Sequence, residues 1–94
     1  MIRDTIRAMI KALPDVKESE GAYVFHADWE VSVHTGRGGE STAVQQVTRV
    51  VLEPEFASME THKGQRIVIL LDEIRGVSAE PTSGEKKGRK TGFV

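Results

Sequence analysis

The chain has 94 residues, enough for one domain with a single modest core and too few for two. It contains no cysteine, which excludes a disulfide framework and thiolate metal ligation. The net charge of −1 is unevenly spread: residues 80–94 carry +2 and the remainder carries −3, an asymmetry too small to imply nucleic acid by itself.

The N-terminus, M-I-R-D-T-I-R, mixes charge with apolar residues and lacks the uninterrupted apolar segment of a signal peptide. The longest aliphatic run, Ile67 to Leu71, is far short of the roughly 20 residues that span a bilayer. A cytoplasmic protein with no membrane partner is expected.

Ile2, Ile6, Met9, Ile10 and Leu13 recur at helical spacing, which predicts an amphipathic N-terminal helix with Asp4 or Thr5 as cap and Pro14 as stop. Arg3, Arg7 and Lys11 follow at intervals of four and draw a basic line along another face. Residues 14–21, P-D-V-K-E-S-E-G, read as a polar connection.

From Tyr23 to Val33 the odd positions are apolar, while His26, Asp28, Glu30, Ser32 and His34 occupy the even ones. That alternation predicts one long strand with a dry and a wet face. The glycines of G-R-G-G at 36–39 permit positive φ and predict a hairpin loop, with a return strand from Thr42 to Glu53. Side-chain matching favours the register in which Tyr23 faces Leu52, Phe25 faces Val50 and Val31 faces Val44. The same register sets His26 opposite Arg49, Glu30 opposite Gln45 and Val24 opposite Val51.

Residues 54–65 fit either a short helix opened by Pro54 or a strand returning through H-K-G-Q. The strand is preferred, because Ile67–Leu71 reads as a buried strand that needs a neighbour. Asp72 and Glu73 then turn the chain into a last strand, residues 74–79. The string V-I-L-L-D-E-I-R-G-V at 68–77 resembles the end of small Sm-like or SH3-like barrels, where a brief turn precedes the final strand.

The expected fold is α+β: an N-terminal amphipathic helix packed on a four- to five-stranded antiparallel sheet, as a small SH3/Sm-like barrel or a sheet wrapped over the helix. Residues 1–79 form the globular domain. Residues 80–94, with turn formers, charges and no period, form a flexible basic tail.

Little in the chain carries recognisable chemistry. Same-face neighbours on a strand lie roughly 6.5–7 Å apart, so His26, Asp28, Glu30 and His34 do not gather round one metal unless His62 or another residue joins from elsewhere. There is no G-x-S-x-G and no cysteine nucleophile, and G-R-G-G lacks the lysine and helix of a phosphate loop. No catalytic residue, metal or cofactor is expected.

The residues instead point to a non-enzymatic interaction or assembly domain that self-associates. Its surface is expected on Val24, Val47 and Val51, clustered on the wet sheet face, with Phe93 and Val94 as an apolar anchor in the tail. The alternative is a nucleic-acid-binding accessory protein using Arg3, Arg7 and Lys11 with Lys86, Lys87, Arg89 and Lys90.

Overall fold

The computed structural model describes residues 2–37 and 39–82. It is an α+β fold in which one short helix packs on a strongly curled antiparallel sheet of seven strands, a half-barrel. The helix α1 (Ile2–Lys11) buries Ile6 and Ile10 and packs Met9 against the core, with Leu13 packing just past its end, burial that stabilises by about 1.5–3 kcal/mol for each isoleucine. Ile2 lies past the covered surface and is exposed. Asp4 and Thr5 are not caps; they sit inside the first turns of the helix. The helix ends at Lys11 and a tighter turn follows, Leu13 N–H donating to Ile10 C=O at 3.0 Å, before Pro14, which has no N–H to continue it.

Residues 14–21 are more than a connection. They contain β1 (Val16–Ser19), which forms a hairpin with β2 (Ala22–Phe25) through Glu20 and Gly21, at φ 52° and 81°. Two successive residues at positive φ make the two-residue turn whose twist suits a hairpin. The strand is illegible beforehand because only Val16 of V-K-E-S is apolar.

The long alternating segment is two strands. At His26–Asp28 the chain makes a turn closed by Trp29 N–H donating to His26 C=O at 3.0 Å, and β3 (Trp29–Arg37) begins after it. The break spans three residues, so the odd positions face inward on both sides of it. Tyr23, Phe25, Val31 and Val33 all join one core with Val47, Val50, Leu52, Ala57 and Met59.

The register differs from the expected one. In β4 (Glu40–Leu52) Tyr23 pairs with Val50, Val31 with Val47, and Val33 with Val44. Between the last two pairs β3 advances by two residues and β4 by three, a bulge seated at Gln46, whose φ is 58°. A second irregularity lies on the other edge of β4, where Val47 and Arg49 face consecutive residues of β5 (Phe56–Thr61). There the Thr48 hydroxyl donates to the Glu60 carbonyl at 3.3 Å. Uniform alternation carries no mark of either bulge, and each adds local bend and twist.

The strand reading of residues 56–61 holds: β5 pairs with β4 on one side and with β6 (Arg66–Leu70) on the other. A 3-10 helix, Leu71–Glu73, then leads into β7 (Ile74–Pro81), which pairs with β3. This is the brief turn before a final strand suggested by V-I-L-L-D-E-I-R-G-V. Arg75 Nη1 donates to the Asp72 carbonyl at 2.9 Å and steadies that turn. β7 runs beyond Ala79 to Pro81, and Thr82 ties back to the strand break, its N–H donating to Asp28 C=O and its hydroxyl to Ala27 C=O.

Gln46 is exposed, so its backbone conformation can be tested without disturbing packing. Gln46→Val, β-branched at positive φ, is expected to lower stability by about 1–3 kcal/mol, whereas Gln46→Gly is expected to hold or raise it. Thermal unfolding checks both, since each kcal/mol moves the Tm of a domain this size by about 4–8 °C.

Candidate functional site

The even residues of β2, β5 and β6 and the odd residues Arg49 and Val51 of β4 form the outer face of the sheet, read directly from register. One row runs Lys17, Val24, Arg49, Glu60 and Arg66. It is charged at its centre: Arg66 Nη2 donates to Glu60 Oε2 at 2.9 Å, and Arg49 faces Glu60 across the ladder. The next row runs Ala22, Val51, Ser58 and Val68, and beyond it Phe56 faces Leu70.

Toward β6 these last rows are mostly apolar and open, while at their β2 end Ala22 is buried. Val68 is 59% exposed, Leu70 50% and Phe56 37%. Leu70 also borders a shallow hollow that it shares with Ile2 and Arg3 of the helix, so the apolar surface continues toward the N-terminus. A continuous aliphatic run such as Ile67–Leu71 reads as buried on both faces, which is why sequence reasoning missed Val68 and Leu70 as surface. What places them in the open is that, among the described residues, β6 has a neighbouring strand on one side only.

Of the expected interaction residues, Val24 and Val51 do lie on the outer face, Val24 38% exposed and Val51 half-buried. Val47 does not. It is 2% exposed and belongs to the core, because the bulge at Gln46 shifts the face on which the following residues point. The three valines therefore form no single cluster. Phe93 and Val94 lie outside the described residues, as do Lys86, Lys87, Arg89 and Lys90. Along the helix, Arg3 and Arg7 are half-buried, Arg7 sits 3.7 Å from Asp4, and Lys11 is exposed. Arg3 Nε is buried with no hydrogen-bond partner among the described residues.

The histidines and carboxylates of the first long segment are dispersed. His26 folds back on its own turn, its Nδ1 lying 3.1 Å from the Asp28 amide nitrogen and 3.5 Å from Asp28 Oδ2. His34 Nε2 bonds the Ser78 hydroxyl at 2.9 Å, away from the strand break. Neither expected cross-strand pair forms: Arg49 lies opposite Val24, leaving His26 without it, and Glu30 lies opposite Glu80 of β7.

Folding does bring His26, Trp29, Glu30, Gln46 and His62 around one hollow of about 350 Å³ at the strand break. The Trp29 indole is anchored there, donating to Asp15 Oδ2 at 2.8 Å. Among the described residues, no group of three or more His, Asp or Glu is arranged to hold a metal ion. No described helix is long and apolar enough to cross a membrane. No protein family, curated protein or solved structure matches the chain.

Two electrostatic features are open to measurement. The hydrogen bond from Arg66, reinforced by the charges of Arg66 and Arg49 against some desolvation, holds the Glu60 carboxyl below its ordinary value of 4.5. Its contribution to stability is therefore complete above that value and is lost as pH falls through the lowered one. Glu60→Gln is expected to make the loss of stability on acidification shallower, measured by denaturant unfolding at pH values above and below 4.5. Glu30 and Glu80 face each other as like charges in adjacent strands. Glu80→Lys is expected to stabilise the fold by about 0.2–1 kcal/mol, read from the same unfolding curves.

Proposed function

We propose that this chain is a small non-enzymatic interaction module that assembles with protein, a second copy of itself foremost, through the open side of its half-barrel. One observation carries the reading: among the described residues β6 leaves one edge unpaired and sets exposed Val68 and Leu70 beside exposed Phe56. An unpaired edge presents backbone donors and acceptors in a row, and native proteins normally blunt such edges with charge, proline or a cover. Apolar side chains next to it supply the desolvation energy that hydrogen bonding alone lacks. Val51 adds to this surface from the row of Val68, while Val24 lies in the charged row, at the far side of Arg49.

The alternative of a nucleic-acid-binding accessory protein draws less from the described residues. The helix line is interrupted by the Arg7–Asp4 pair and the partial burial of Arg3. Steeply salt-sensitive binding to generic DNA or RNA would favour that alternative.

Light scattering on the full chain from micromolar to millimolar concentration tests the assembly reading. A mass that rises above one chain is expected, together with its return to one chain in Val68→Lys and Leu70→Lys. Both positions are exposed, so these changes are expected to alter folding stability by no more than about 0.5 kcal/mol. A mass of one chain throughout, with no binding to an added protein partner, would sink the proposal.

A further inference from the structure

Among the described residues the sheet ends in the edge strands β1, β6 and β7, and residues 40–46 of β4, bounded by Glu40 and the bulge at Gln46, also have a strand on one side only. They are not equivalent. β1 carries Lys17 and Glu18 within four residues, and β7 packs beside α1 and ends in Glu80 and Pro81. Charge, proline and a helix cover are the ordinary devices that keep an edge from pairing. β6, R-I-V-I-L, has a single charge at its start and no such device in its remaining four residues.

The hydrogen-bond phase of β6 can be read from its hairpin. Thr61 N–H donates to Gln65 C=O at 3.0 Å, so Glu60 and Arg66 form a non-hydrogen-bonded pair, and Met59–Ile67 and Ala57–Ile69 are the bonded ones. The N–H and C=O groups of Arg66, Val68 and Leu70 consequently point away from β5. They meet no backbone partner among the described residues. Val68, the middle residue of the strand, thus directs both its backbone groups outward at the centre of the open edge.

Resting on the interaction reading above, we infer that β6 pairs antiparallel with β6 of a second copy of this chain, about a two-fold axis through Val68. Centred there, Val68 faces Val68 of the second copy, Ile67 faces Ile69, and Arg66 faces Leu70, so the whole strand is paired. An odd shift of register would set inner-face side chains against outer-face ones. An even shift shortens the ladder, and moving the axis to Arg66 places two guanidinium groups opposite each other. In the central register the Arg66 stem covers Leu70 while its guanidinium keeps Glu60. Ile67 and Ile69, half-buried at the rim of the core, continue that core across the axis. A two-fold contact also uses both unguarded edges at once and so stops growth at two chains.

The absence of cysteine makes a direct test available. Val68→Cys places two thiols at the axis, where a hydrogen-bonded antiparallel pair holds Cα atoms about 5.5 Å apart, within disulfide range. Lys17→Cys, on the edge of β1, serves as the comparison. Under mild oxidation of the folded full chain, Val68→Cys is expected to shift nearly all material to a covalent dimer while Lys17→Cys stays largely monomeric. Light scattering is expected to give twice the chain mass for the unsubstituted protein and one chain mass for Val68→Lys. Assembly without selective crosslinking of Val68→Cys, or a mass above two chains, overturns the two-fold β6 pairing and leaves the interaction reading standing. A strict monomer that binds no added protein overturns both.

Discussion

The bend in β4 is the constraint on which the rest of the molecule depends. This strand of 13 residues pairs along one edge first with β3 and then with β2, and along the other edge with β5. A flat strand could not serve both sets of neighbours. The extra residues at Gln46 and Thr48 bend it where the neighbour changes, and the left-handed backbone of Gln46 is the local cost. Two backbone bonds tie this region down: His62 N–H donates to the Gln46 carbonyl at 2.8 Å, and Trp29 N–H closes the turn that ends at β3.

Curling the sheet decides both what is inside and what is left open. It wraps the inner faces of β2 to β5 around Ile6 and Ile10 of the helix, giving a core from residues widely separated along the chain. It also carries β6 and β7 toward the open side without joining them in a ladder, so the half-barrel stays open. α1 packs beside β7 there, whereas β6 has no second strand beside it among the described residues. The exposed aliphatic edge is thus a consequence of the bend as much as of the residues of β6.

Much of the architecture was legible in local chemistry. The helix followed from the spacing of Ile6, Ile10 and Leu13, the β3–β4 hairpin from its glycines, and the strand at 56–61 from the need of R-I-V-I-L for a neighbour. β1 escaped notice because V-K-E-S has no apolar period, and its turn residues E-G were the available signal. The candidate site was less legible. Val24 and Val51 were placed on the correct face, but Val47 was not, since a bulge leaves no trace in an apolar–polar alternation.

The sequence by itself determined which residues alternate, where glycine and proline punctuate the chain, and therefore the α+β class and the inward set Tyr23, Phe25, Val31 and Val33. Only the tertiary structure decided register, the breaking of one strand into two, and the identity of the open edge. The physical reason is that alternation reports the face a side chain takes on its own strand. Pairing and exposure depend on which strand lies alongside, and for Val68 and Leu70 that neighbour is present, among the described residues, on one side alone.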